Sequence, residues 1–175
     1  MNRTTHLALA ASTALLLAGC TSPQAADSKA QPAAPAAASS AAPKPASDAS
    51  STYKAIAAAV PSATGNTPVT ADNDPNHLLG RPGQYTSKIT FKDSRIKTAD
   101  TEGLQPGDVS LGGAIEAFTA PAEAEARANY IRTVTQGMPM LTEYDYVHGT
   151  NLIRVSRLLT PEQAGDYEKA AAKLP

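Results

Sequence analysis

Glu143-Tyr144-Asp145-Tyr146-Val147-His148-Gly149-Thr150-Asn151-Leu152-Ile153-Arg154-Val155-Ser156 decides how the chain folds. Both halves alternate in polarity or carry β-branched and aromatic residues, and two turn-forming residues separate them. The segment therefore reads as a hairpin of two strands, Glu143 to His148 and Asn151 to Ser156. Because side chains alternate across a strand, Glu143, Asp145 and Val147 share one face, and Tyr144, Tyr146 and His148 share the other.

Upstream of the hairpin, Pro121 to Gln136 reads as a helix. Proline stands at its start, Glu123 and Glu125 lie in the first turns, and Arg127 and Arg132 follow, an order that suits the helix dipole. Ala124, Ala128, Ile131, Val134 and Met138 recur at three- and four-residue steps and form an apolar face. Gly137 and Pro139 end the helix. Before it lie two strands, Lys88 to Lys92 and Gly113 to Phe118. Asp93 to Gly112 forms a polar loop between them, and Gly112-Gly113 reads as a break at strand entry. Downstream, Thr160-Pro161-Glu162-Gln163 has capping-box spacing and opens a last helix with Ala164, Tyr167, Ala171 and Leu174 along its buried stripe.

The predicted order is strand, strand, helix, strand, strand, helix. This is an α+β domain: a four-stranded antiparallel sheet with two helices on one face, a ββαββα arrangement that matches a circularly permuted ferredoxin-like unit. Lys88–Lys92 should pair antiparallel with Gly113–Phe118. Tyr53 to Val60 reads as one further short helix, and Pro61 to Pro82 as an irregular lead-in rich in turn formers.

The domain is assigned residues 51–175. Residues 20–50 read differently. They are almost wholly Ala, Pro and Ser, with Pro23, Pro32, Pro35, Pro43 and Pro45 and no aromatic residue. Such a stretch buries too little surface to offset ordering entropy, so it reads as a disordered tether. Fully extended it would span roughly 90 Å. A proline-rich ligand for partner domains is the rival reading, and no clean repeat supports it.

Residues 1–19 have the layout of a secretory signal: Arg3, an apolar run from Leu7 to Leu17, then small residues. The run is about half the roughly 20 residues that span a bilayer. Leu17-Ala18-Gly19-Cys20 resembles the lipobox of bacterial lipoprotein precursors. That resemblance implies that the Cys20 thiol carries diacylglycerol, that cleavage leaves Cys20 at the N-terminus, and that the protein is held by fatty acyl chains such as palmitate on the extracytoplasmic face of the cell membrane. An ordinary signal containing a chance cysteine is the alternative. Cys20 is the only cysteine in the chain, so no intrachain disulfide, thiol catalysis or cysteine metal site is possible.

Asp74-Pro75-Asn76, Leu78 to Tyr85, Asp93-Ser94-Arg95, Glu143 to Gly149 and Leu159-Thr160-Pro161 resemble segments of small lipoproteins of high-GC actinobacteria such as streptomycetes. The resemblance covers most of the domain and implies a compartment without implying a reaction.

The chemistry-bearing residues narrow the function by exclusion. The formal net charge is −1 and no stretch is basic, so nucleic acid is not an expected partner. His148 lies on the face away from Asp145 and Glu143, which suits a hairpin end better than an acid–imidazole pair. His77 lies in the lead-in and His6 in the signal, so no zinc spacing exists. Asp72, Asp74 and Asn76 start like a calcium loop, but His77 and Gly83 stand where such a loop needs glycine and glutamate. An Asx-turn loop is the simpler reading. No nucleophile elbow or phosphate-binding glycine loop is present.

Glu116, Glu143 and Asp145 can be read as solvent-facing charges of a one-sided sheet or as a carboxylate pair for acid–base work. Arg154, between Ile153 and Val155, would need a carboxylate partner if it points inward. Arg81 and Arg95 either tie the lead-in and loops down or line a groove for an anion.

Neither cofactor nor metal is expected, no catalytic residue is assigned, and Cys20 is the one modification site. The expected function is a non-enzymatic binding or interaction module of the cell envelope, with an envelope protein or small ligand as partner. A small envelope hydrolase using sheet-borne carboxylates is the alternative.

Overall fold

The computed structural model describes residues 48–175. The signal, Cys20 and the tether up to residue 47 lie outside the described residues. The elements are α1 (Ala49–Ala59), β1 (Ala63–Pro68), β2 (Ser87–Asp93), β3 (Gly112–Ala117), α2 (Pro121–Thr135), β4 (Glu143–His148), β5 (Asn151–Ser156) and α3 (Pro161–Ala171), with short 3-10 turns between them. The strands form one antiparallel sheet in the order β1-β2-β3-β5-β4.

The expected α+β class and the expected central pairing are both present. β2 lies antiparallel to β3 with Ile89 opposite Ile115. β4 and β5 close as a hairpin with His148 opposite Asn151, and Gly149 takes φ +55° in the turn. The left-handed region is the one a two-residue hairpin turn requires. α3 opens on the predicted reciprocal cap: the Gln163 N–H donates to Thr160 Oγ1, and the Thr160 N–H to Gln163 Oε1.

Three expectations need correction. The sheet has five strands, not four. β1 is Ala-Thr-Gly-Asn-Thr-Pro, which has turn-former composition and buries only Ala63. Its register slips between Thr64 and Asn66, and it ends in proline at the sheet edge, where proline costs no ladder bond. β2 supplies the pairing partner that its own composition does not suggest.

There are also three packed helices, not two. α1 starts at Ala49, two residues before the boundary expected at residue 51. The Asp48 carboxylate caps it by accepting from the N–H groups of Ser50 and Ser51.

Finally, α2 and α3 do not share a face. Ala164, Tyr167 and Ala171 of α3 and Tyr53 and Ile56 of α1 pack with Ile89, Phe91, Ile115, Ile153 and Val155 on one side. Ala124, Ala128 and Ile131 of α2 pack with Tyr85, Phe118 and Leu152 on the other. The one-sided ferredoxin-like arrangement is therefore overturned, and both faces of the sheet carry helices. α2 joins two parallel strands across β5, so its crossover is constrained. α3 follows the last strand and has no such constraint. Val134 and Met138, expected on the buried stripe of α2, are exposed.

Two tight local features fix the frame. The lead-in closes on Asp74, whose carboxylate accepts from the N–H groups of Asn76, Leu78 and Leu79 and from the Tyr85 hydroxyl at 2.7 Å. Burial alone would raise the Asp74 pKa, but these donors, Tyr85 first, outweigh it and hold the group at about 2. Gly113 has a packing role beyond the expected strand break: a Cβ there would stand 2.4 Å from both the Phe91 ring and the Arg154 carbonyl oxygen. Phe91, stacked on Tyr167 at 5.6 Å, lies directly over this gap.

Gly113→Ala should therefore destabilise the domain by about 1–3 kcal/mol or more through overpacking. Ile131→Ala, on the opposite face, should cost roughly 2–5 kcal/mol. Urea denaturation of each variant measures both; wild-type midpoints would mean the two cores are not built as described.

Candidate functional site

Glu116 points from β3 toward α2 and is fully buried. A buried carboxylate is costly unless charged partners surround it. Its register neighbour on β2 is Lys88, whose Nζ lies 3.1 Å from Oε1. From β5, Arg154 reaches diagonally and donates through NH1 to the same oxygen at 2.8 Å. From α2 above, Arg127 Nε donates to Oε2 at 3.1 Å. Burial pushes the Glu116 pKa up, but Arg154, Lys88 and Arg127 together hold it at about 2. Burial lowers the pKa of Lys88, with Glu116 opposing that shift.

The network continues across the sheet. Arg154 is bidentate to Glu143 on β4, with Nε–Oε1 at 2.8 Å and NH2–Oε2 at 3.1 Å. Asp145, two residues along the same face, is the cross-strand partner of Arg154, yet its Oδ1 is buried without a hydrogen-bond partner. Burial first, and then the charge of Glu143, raise the Asp145 pKa to about 7.

Two cavities adjoin this network, of about 460 and 380 Å³, and both are lined by Asn76, Arg127 and Tyr130. They form one groove along α2, bounded by the lead-in on one side and by Ser110, Leu141 and Thr142 on the other. A third cavity, of about 400 Å³, meets Lys88 and Thr90 beneath the loop at Gln105–Asp108.

The structure brings together the sequence candidates Glu116, Glu143, Asp145 and Arg154. It does so as a buried network, not as solvent-facing charges, because α2 covers the face expected to be open. Arg154 is inward and has the carboxylates that such a position requires. Arg95 ties down its loop: it pairs with Asp93 at 2.8 Å and reaches Asp166 on α3 at 2.9 Å. Tyr167 adds a 2.6 Å hydrogen bond to the same Asp93. Arg81 is exposed and its side chain makes no hydrogen bond to the described residues.

His148 Nε2 lies 3.1 Å from the Leu174 carbonyl oxygen, away from the carboxylates. Asp74 is consumed by its Asx turn and Tyr85. Among the described residues no group of three or more His, Cys, Asp and Glu side chains could hold a metal ion. Cys20 lies outside the described residues.

Sequence reasoning missed Lys88 and Arg127. Lys88 occupies a polar position in an alternating strand, and Arg127 a polar position on an amphipathic helix; each pattern normally marks a solvated face. One signal was available. Once β2 pairs with β3 in the expected register, Lys88 and Glu116 stand side by side.

No family model matches the chain, and no curated protein or solved structure shows significant similarity to it.

Asp145 gives the network a pH dependence. Its folded-state pKa lies above the ordinary value of about 4, so between about pH 4 and 7 the folded chain keeps a proton that the unfolded chain releases. Stability from this group is present at low pH and falls as pH rises through that window. Asp145→Asn, which mimics the protonated acid, should melt near wild type at about pH 4 and increasingly above it as the pH rises to about 8. Parallel melting curves across that range would remove the assignment.

Proposed function

We propose that the protein is a lipid-anchored binding module of the cell envelope, attached through Cys20 on the extracytoplasmic face of the membrane, with its ligand groove along α2. The tether and the lipobox-like residues support the compartment. The observation that carries the binding reading is the state of Arg127: its Nε is fixed by Glu116, its Nη groups make no hydrogen bond to the described residues, and the residue lines both cavities of the groove.

What supports binding over hydrolysis is how the carboxylates are used. Glu116 faces three cations, and Glu143 is bidentate to Arg154. A general base or nucleophile needs a free lone pair within reach of substrate. Of the sheet-borne acids only Asp145 is not paired to a cation, and its Oδ1 is buried, with Asp145 lining neither cavity of the groove. The binding surface is thus a groove with a charged floor.

Two measurements test this reading. Cells given labelled palmitate should label the wild-type protein and not Cys20→Ala, which should leave the membrane fraction or accumulate as precursor; equal labelling sinks the anchor. A photo-crosslinking residue at Tyr130 should capture an envelope species on intact cells, while one at Glu168 on α3 should not. Capture from Glu168 alone would move the binding surface to the other face.

A further inference from the structure

Arg127 is unusual among the cations of the network. Its side chain is 10% exposed and sits on a buried carboxylate, yet only Nε is engaged. Neither Nη makes a hydrogen bond to the described residues, and Arg127 lines both cavities. Arg154, by contrast, uses Nε and both Nη groups on Glu116 and Glu143. The carboxylates on the groove walls already have donors. Glu123 accepts from the N–H groups of Thr119 and Ala120, Asp108 from that of Ser110, and Glu143 from Arg154.

Around the groove, Lys88, Arg127, Arg154 and Arg157 stand against Glu116, Glu143, Glu123 and Asp108, so the charges are balanced overall and the local donor capacity left over is that of the Arg127 Nη groups. Beside the guanidinium the wall turns apolar. Tyr130 lies with its ring centroid 5.7 Å from Arg127 Cζ and is 60% exposed, and Val134 and Leu141 are also exposed. Large apolar side chains exposed beside a cavity are what an amphipathic ligand covers.

We propose that this groove is a carboxylate site for a small amphipathic acid: the two free Nη groups of Arg127 hold the carboxylate end-on, and Tyr130, Val134 and Leu141 take the apolar body. This rests on the binding-module reading and names its ligand class. An arginine fork offers parallel donors at the spacing of carboxylate oxygens. A phosphate monoester could use the same fork, but the carboxylates on the groove walls, Glu123, Asp108 and Glu143, repel a dianion more than a monoanion.

Isothermal titration of the full-length chain with phenylbutyrate, phenylbutanol and phenylbutyl phosphate tests the proposal. The acid should bind at least roughly tenfold more tightly than the alcohol, which has the same apolar body, and more tightly than the phosphate. Arg127→Gln should lose that preference. Because Arg127 also braces Glu116, Tyr130→Glu serves as the second variant; it places a carboxylate in the groove from an exposed helix position, where folding is unaffected, and should abolish binding of the acid. Equal binding of acid and alcohol, tighter binding of the phosphate, or unchanged binding by Tyr130→Glu would overturn the proposal. If the acid fails to bind while the crosslinker at Tyr130 still captures an envelope partner, the ligand class falls and the binding module stands. If the acid binds and no envelope species is captured, the site stands and the module reading falls.

Discussion

The fully buried carboxylate of Glu116 is the constraint on which the other half of the molecule depends. An ionised group at the middle of a sheet is tolerable only if cations reach it from several directions. Lys88 arrives from one neighbouring strand, Arg154 from the next, and Arg127 from the helix above. Each of those elements is thereby fixed relative to β3. The arrangement also explains why α2 can cover a sheet face that carries so many charges: the charges neutralise one another before the helix lands. Removing any one cation would take a partner from a fully buried carboxylate, so the network ties α2, through Arg127, to β3.

The opposite face is held by more ordinary means. Phe91 stacks on Tyr167 and lies over Gly113, and the aliphatic rows of β2, β3 and β5 fill the space under α1 and α3. The two faces meet different solvation requirements with the same strands. Odd and even positions of one strand therefore carry unlike chemistry while both remain buried. Ile115 and Glu116 are adjacent residues, both inaccessible, one packed in hydrocarbon and the other in charge.

That pairing explains how far the sequence could be read. Polar–apolar alternation in Lys88–Lys92 and in the Glu143–Ser156 hairpin identified three strands correctly. Helix caps at Pro121 and Thr160 located both later helices. The same alternation misled about solvent, since a polar row on a strand normally faces water. Here the polar row is a closed ion network, and nothing local distinguishes the two cases. β1 escaped notice because Thr-Gly-Asn-Thr has the composition of a turn; it becomes a strand only through pairing with β2. Of the site, Arg154 and its need for a carboxylate were legible from its place between Ile153 and Val155. Arg127 was not, because its partner lies eleven residues away on another element and only the chain reversal at Phe118 brings them together.

The placement of α1 gives the domain a front and a back. Asp48, where the described chain begins, caps a helix lying on the face that holds α3, while the groove opens on the face that holds α2. The Ala49 amide donates to Ser87, and Asn151 accepts from Thr52 near the same end of the sheet. Ser110, Ser156 and Glu143, at the rim of the groove, belong to the other end. Chain entry and the groove are thus separated through the thickness of the sheet, and the second cavity also lies toward the far end of its strands. A force applied through Asp48 is borne by α1 and the hydrocarbon layer before it reaches the ion network.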